Sequence, residues 1–417
     1  MWAAGAIVSN VGTWMQRTAQ DWIVLTQLTQ HNATALGVVM ALQFGPQALL
    51  LPLTGYAADH LDRRKLLLGT QASLGLLALV LGILCVTGLV QLWHVYVLAL
   101  LQGCVAAFDA PARQTFVSEL VGEEDLSNAV ALNSTSFNAA RMIGPAVAGI
   151  LIAVVGSGWV FLINAVSFAA VIGSLTQLRV HEFHSHGGAS AKTGSALEGF
   201  RYVWRRPDLK VILLMLFLVG TFGINFPIFI STMSVTVFHQ GAGQYGFLTS
   251  MMAVGSVAGA LLAARRAKPR MGVLLLAAGI FGCGFSLAAV APSYALFGVT
   301  LIVIGISAQT FTTSSLSLVQ ISTDPNLRGR VVAIVLAVAL GGTPIGAPIV
   351  GLVVDAFGPR WALMVGAASG FAAAAVGVFY LVRHRRLRVH IDGGRLRFSS
   401  QSIGATLADH EIQSSHE

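Results

Sequence analysis

The sequence predicts an all-α membrane protein of twelve transmembrane helices in two pseudo-symmetric six-helix bundles. Three observations carry that expectation. First, 55% of the 417 residues are hydrophobic and only 10% are charged, against about 25% charged in a soluble protein. Second, apolar runs of about 20 residues, each long enough to cross a bilayer core, recur along the whole chain. Third, the chain repeats itself: Gly144, Gly149, Gly156 and Trp159 return as Gly346, Gly351, Gly358 and Trp361 at one offset, with Pro145 answered one place displaced by Pro348. Helices are the expected element, because a helix satisfies its own backbone in lipid.

The first bundle, residues 1–178, takes spans at 2–25, 35–58, 65–87, 92–112, 126–155 and 159–178. The second, residues 209–383, takes spans at 209–237, 245–264, 271–290, 294–319, 331–354 and 361–382. The first apolar run opens at once and is followed by others, which is the pattern of a multi-span protein and not of a cleaved leader. Lys and Arg gather in the connections after spans two, four, six, eight and ten, among them Arg63, Arg64, Lys65, Arg113, Arg205, Arg206, Arg265, Arg266 and Arg328. The connections after spans one, three, five, seven and nine hold none, so both termini are expected on the cytoplasmic face of the plasma (inner) membrane. The net charge of +8 therefore belongs to membrane topology, and no nucleic-acid partner is implied. Cys85, Cys104 and Cys283 all fall inside apolar runs, as packing residues do.

Between the bundles, residues 179–208 form a cytoplasmic linker. Leu197, Phe200, Val203 and Trp204 share one helical face there against Arg201, Arg205 and Arg206, which predicts an amphipathic helix on the inner leaflet. His181, His184 and His186 precede it and are read as polar linker; no metal site is expected. Residues 384–417 are polar and rich in Ser and Gly, and are expected to be a disordered cytoplasmic tail.

Intramembrane charge marks candidate function, because lipid makes it costly. Spans one, four and five hold Arg17, Asp21, Asp109 and Arg141, while spans seven to ten hold no charge in their interiors. On span one, Asn10, Thr13, Arg17, Gln20 and Asp21 recur at three- and four-residue spacing and share a face. Arg17 and Asp21 are within reach of each other. Two readings stay open for them: Asp21 exchanges a proton with Arg17 tuning it, or the two form a permanent ion pair. Asp109 is the further proton-coupling candidate. Cavity candidates are Asn10, Thr13, Gln20, Gln43, Gln47, Asn138, Arg141, Asn225, Gln309 and Thr313. Together with Phe44, Phe222, Phe226 and Phe229 they suit an amphiphilic organic molecule better than a bare ion.

Five segments carry a resemblance. The turn Gly55-Tyr56-Ala57-Ala58-Asp59-His60-Leu61-Asp62-Arg63-Arg64-Lys65 resembles the loop between spans two and three of the major facilitator superfamily. Within that superfamily, the stretches 9–17, 108–114, 128–134 and 141–149 resemble the twelve-span drug:proton antiporter branch, in the group of enterobactin-exporter-like proteins and transmembrane secretion effectors. The resemblance covers nearly the whole chain. It implies a secondary transporter that exports a small drug, siderophore or metabolite by alternating access, as a monomer, with the proton gradient as energy source and no cofactor. It implies that Gly55, Asp59, Arg63, Arg64 and Lys65 form a gate, and that Gly144, Pro145 and Gly149 form the span-five motif of antiporters. Pro145 removes a backbone hydrogen bond there, and the small residues let a neighbour approach closely. The pattern breaks at span four: Gln102 and Gly103 are present, but Ala99 stands where many proton-coupled members carry arginine, so coupling falls to other groups. A short basic lead usual in this family is missing before Trp2, and an upstream start is expected.

An enzyme is not expected. No Gly-x-x-x-x-Gly-Lys-Ser/Thr loop, Ser/His/Asp set or cofactor loop is visible. The competing readings are a facilitator or importer of the same fold, and a non-transporting membrane receptor.

Overall fold

The structure is a computed structural model, and it describes residues 2–50, 53–54, 57, 61–119, 124–177, 196–265, 270–385, 388–392 and 395–399. In chain order the helices are α1 (Trp2–Ile23), α2 (Ala33–Leu49), α3 (Arg63–Val86), α4 (Leu92–Glu119), α5 (Leu126–Val155), α6 (Ser157–Thr176), α7 (Ala196–Arg205), α8 (Pro207–Leu218), α9 (Phe226–Thr232), α10 (Ala242–Ala264), α11 (Met271–Ala289), α12 (Tyr294–Ser322), α13 (Arg328–Phe357) and α14 (Pro359–Arg385). Among the described residues, ten segments are long and apolar enough to cross a membrane, with α8 and α9 counted as one segment, Pro207–Val237. The first two span positions are α1 and α2. The polar stripe of α1 lowers its hydropathy, and the described part of α2 ends at Leu49.

Local chemistry starts these helices where the sequence offers a cap. The Asn32 side chain accepts from Ala35 N at 2.8 Å to open α2, and Asp62 accepts from Lys65 N at 3.1 Å to open α3, each satisfying an orphan N–H of the first turn. Gly156 and Gly358 close α5 and α13 at φ 89° and 96°, a backbone conformation that costs glycine least. They are the two copies of one repeat position.

The packing shows the same duplication. In the first half α1 packs on α5 and α6, α3 on α4 and α6, and α2 on α4. In the second half the span-seven segment packs on α13 and α14, α11 on α12 and α14, and α10 on α12. Each contact in one half has its counterpart in the other. The halves meet along two seams, α2 against α13 and α5 against α10, and each seam exchanges with the other under the repeat.

Span seven differs from its reading as one continuous helix. It is α8, a π-turn at Val219–Gly223, α9, and a second π-turn at Met233–Val237. Gly220, Gly223 and Pro227 surround the first break, and Pro227 has no N–H to give the helix ladder. A matching π-turn, Val24–Leu28, ends α1. Insertions of this kind concentrate at functional sites.

The linker helix α7 keeps Val203 buried and leaves Phe200 and Trp204 exposed. It is tied to α13 by Arg330 Nη1 and Glu198 Oε2 at 2.6 Å. Of the tail, the described residues are 384–385, 388–392 and 395–399. Residues 384 and 385 continue α14, and Arg388–Asp392 and Arg395–Ser399 pair as an antiparallel hairpin, with Asp392 opposite Arg395. The sequence carries the reason, since Val389, Ile391, Leu396 and Phe398 alternate with polar residues around Gly393-Gly394, which is a hairpin pattern.

A candidate transport cavity between the halves

Two cavities meet on α1. One, of about 260 Å³, lies between the halves. From the first half it takes Trp14, Arg17, Thr18, Asp21, Met40, Gln43, Phe44 and Arg141. From the second it takes Ile224, Phe226, Pro227, Ile230, Tyr245, Thr249, Met252, Ala253 and residues 339, 340 and 343 of α13. The other, of about 480 Å³, extends within the first half toward the end that carries the basic connections, past Asn10, Thr13, Gln47, Gln102, Asp109, Arg113, Asn133 and Asn138. Arg17, Gln43 and Phe44 line both.

The polar stripe of α1 thus faces the cavities, as its spacing requires, apart from Gln20, which is buried and lines neither. Gln43 reaches across to Gln102 at 2.8 Å, and Gln47 donates to the Gln43 carbonyl. In the second half three candidates stand elsewhere. Asn225 is fully buried and donates to the Thr221 carbonyl at 2.7 Å within the span-seven break. Gln309 donates to Thr313 at 3.1 Å, and neither side chain lines either cavity. The second-half wall is instead built mainly from apolar and aromatic side chains, with Thr249 and Thr343 among them.

Of the two readings of Arg17 and Asp21, the ion pair is not formed. Asp21 Oδ2 accepts from the Tyr245 hydroxyl at 3.1 Å, across the boundary between the halves. The Tyr245 ring is buried and stacks on Trp22 at 6.1 Å. The Arg17 guanidinium lies instead over Trp14 at 5.0 Å and over Phe44 at 5.6 Å, and Arg141 lies over the same Trp14 at 5.8 Å. Aromatic faces attract such cations by their quadrupole.

Asp109 is held in a different way. Thr70 Oγ1 and Gln71 Nε2 both donate to its Oδ1 at 2.7 Å, and Arg113 Nη2 donates to Oδ2 at 3.0 Å. Arg113 also reaches Asn10 at 2.9 Å. This network joins α1, α3 and α4 inside one half. It gives the carboxylate three donors, all within that half.

Of the proposed gate, Gly55 and Asp59 lie outside the described residues. Arg64 donates to the Leu175 and Thr176 carbonyls at 3.1 and 3.0 Å, holding the C-terminus of α6, where a cation is favoured. Lys65 lies 4.0 Å from Asp62 and is exposed. Arg64 and Lys65 are thus engaged within the first half. Of the span-five motif, Gly144 packs on Val11, Trp14 and Met15 of α1. Gly149 packs on Ala242 and Gly243 of α10, and the Pro145 carbonyl abuts Gly246. The histidines at 181, 184 and 186 lie outside the described residues. Among the described residues, no three His, Cys, Asp or Glu side chains gather into a metal-binding group.

Two residues escaped the sequence reading. Tyr245, at the start of its span, has the position of an interface-belt aromatic. Asp355 reads as a charge in an outer connection. In the structure it caps α2 from the far end of α13, accepting from Ala33 N at 2.8 Å, Thr34 N at 2.9 Å and Thr34 Oγ1 at 2.5 Å. No local pattern reveals either partner, because both contacts join the two halves.

Comparison with known proteins agrees with this architecture. The transmembrane secretion effector family matches residues 1–408. The staphyloferrin A transporter of Staphylococcus aureus is 24% identical over 92% of this chain and 95% of its own length. The multidrug efflux pump Tap of Mycolicibacterium fortuitum is 26% identical over 85% of this chain and 88% of its own. The enterobactin exporter EntS of Shigella flexneri is 26% identical over 88% and 87%. Among solved structures, a bacterial homologue of the iron transporter ferroportin in an inward-facing state superposes with a TM-score of 0.69 at 14% identity, covering 91% of this chain and 98% of that one. A D-xylose–proton symporter superposes with a TM-score of 0.69 at 14% identity, covering 90% and 95%. These structures share the fold. A multi-pass chain of helical spans with a central cavity and this family match is a membrane transporter of small molecules and not an enzyme: the chain belongs to the transmembrane secretion effector family of the major facilitator superfamily.

Proposed function

We propose that this protein is a secondary active exporter that moves a small amphiphilic organic molecule by alternating access and proton antiport. It acts as a monomer in the plasma membrane with both termini cytoplasmic. The supporting observation is Asp21. Among the described residues it is the one carboxylate that lines the cavity between the halves, and its hydrogen-bond partner, Tyr245, belongs to the opposite half. A carboxylate so placed exchanges a proton with the cavity and links its charge to the contact between α1 and α10. Substrate entering from the basic side displaces the proton, the halves rock, and a proton from the other side reloads Asp21 as substrate leaves.

The aromatic and apolar second-half wall supports an amphiphilic cargo, as do relatives that export siderophores or drugs. The test is proton release from the purified protein when members of a drug and siderophore panel are added, wild type against Asp21→Asn. Release that disappears in the variant supports antiport at Asp21. Binding without release by any compound points to a facilitator, and binding without turnover in proteoliposomes points to a receptor.

A further inference from the structure

The cavity between the halves has an imbalance of charge. Its charged lining residues are Arg17, Arg141 and Asp21. Neither guanidinium makes a hydrogen bond or ion pair with a described side chain. Both lie instead over one indole, Trp14, at 5.0 and 5.8 Å. Two like charges on one ring, in a site partly removed from water, are costly to hold without an anion. A protein that needed only packing there would place neutral side chains, as the second half does with Ile224, Phe226, Pro227 and Ile230. The arrangement also prepares a site. A guanidinium laid on an aromatic face keeps its N–H fork free at the edge, and that planar fork matches a carboxylate. Two such forks held by one ring leave little freedom to lose on binding.

We propose that Arg17, Trp14 and Arg141 form an acid-binding subsite, and that the substrate is an amphoteric amphiphile. Its acidic group lies across the two guanidiniums, its cationic group meets Asp21, and its apolar body rests on the second-half wall. The acidic part stands on the arginines alone; the cationic part rests on the antiport reading, because a substrate cation at Asp21 competes directly with a proton. The spacing is compatible with one small molecule, since Arg17 and Asp21 are one helical turn apart on α1. Arg17 also lines the larger cavity, so the acid is seated where the two cavities join and a longer apolar tail has room to extend.

The test uses the full-length protein in detergent and three compounds on one scaffold: 2-naphthylalanine (amine and carboxylate), its methyl ester (amine only) and its N-acetyl derivative (carboxylate only). Binding is followed by calorimetry and proton release in weak buffer. The free amino acid is expected to bind about tenfold or more tightly than its methyl ester, the scale of a charge-assisted hydrogen bond. Arg141→Gln is expected to erase that preference while leaving the ester within about twofold. Arg141→Lys, which keeps the charge without the planar fork, is expected to retain part of it. The N-acetyl compound is expected to bind without releasing a proton, and Asp21→Asn is expected to leave that binding in place.

Equal binding of amino acid and ester, an equal loss for all three compounds in Arg141→Gln, or binding by none of the three overturns the subsite. Proton release by the ester without an acid preference refutes the subsite and leaves antiport standing. An acid preference with no proton release from any compound refutes antiport and leaves the subsite standing.

Discussion

Two aspartates in the first half illustrate how partners, and not residue type, decide what a buried carboxylate does. Asp109 receives three donors within its own half, and Asp21 receives one, from the other half. Removing the charge at Asp109 leaves Arg113 in a half-buried site without its counter-ion, at a cost of about 1.5–3 kcal/mol. Asp109→Asn is therefore expected to lower the melting temperature by several degrees and to leave the pH profile of transport unchanged. Asp21→Asn is expected to do the reverse, with little change in melting temperature and a flat pH profile; thermal melts and proteoliposome transport between pH 5.5 and 8.5 separate the two. Tyr245→Phe keeps the stacking on Trp22 and removes the hydroxyl. Substrate binding is expected to stay within about twofold while transport falls by about tenfold, the scale of one hydrogen bond to a charged group. Equal losses in binding and transport would make Tyr245 a packing residue.

At the scale of helices, the seams are built for close, reversible contact. At α2–α13, Gly37 abuts the Ala347 backbone and Gly351 abuts Ala33 and Thr34, while at α5–α10 Gly246 abuts the Pro145 carbonyl. A side chain at any of these points meets backbone on the opposing half. Asp355 adds a polar latch at the end remote from the basic connections, where its carboxylate meets the positive N-terminus of α2. Asp355→Ala is expected to cost the closed seam about 1 kcal/mol, as loss of a helix cap does, and so to shift opening at that end about fivefold. A cysteine placed at Thr343, inside the cavity, reports this as faster labelling by an impermeant maleimide from that side; Gly246→Leu is expected to raise labelling further. How much of this was legible in the sequence follows from the range of each signal. Span positions, the polar face of α1 and the repeat are local or periodic, and they are visible in the string. The break in span seven is marked by Gly220, Gly223 and Pro227, yet the run is apolar enough to read as unbroken. Arg17 and Asp21 sit one turn apart and invite pairing, but the aromatic faces of Trp14 and Phe44 and the Tyr245 hydroxyl compete for them, and those partners appear only when helices pack.

For the molecule as a whole, the two seams are the elements on which the proposed alternating access would work. α2 and α13 run antiparallel, so each contributes its C-terminal part beside the N-terminal part of the other. In this structure the contact between the Asp355 end of α13 and the start of α2 is made. The larger cavity extends toward the opposite end, and Leu49, near that end of α2, is 81% exposed. Among the described residues, the Asp355 end is thus held together while the larger cavity runs toward the other end, an arrangement that fits the proposed rocking mechanism. Locking the closed end tests whether transport depends on opening it. With the free cysteines Cys85, Cys104 and Cys283 replaced, Thr34→Cys and Asp355→Cys together place two thiols across the seam. Joining them with a short bifunctional thiol reagent is expected to leave substrate binding from the basic side within about twofold while reducing transport to background, and cleaving the link is expected to restore it. Each single-cysteine variant treated with the same reagent is expected to keep its transport, which separates the effect of the lock from that of losing the Asp355 cap. If transport continues with the link in place, the halves do not separate along α2–α13, and the opening has to be sought at the α5–α10 seam, where a link between cysteines at 149 and 243 would then be the one that stops it.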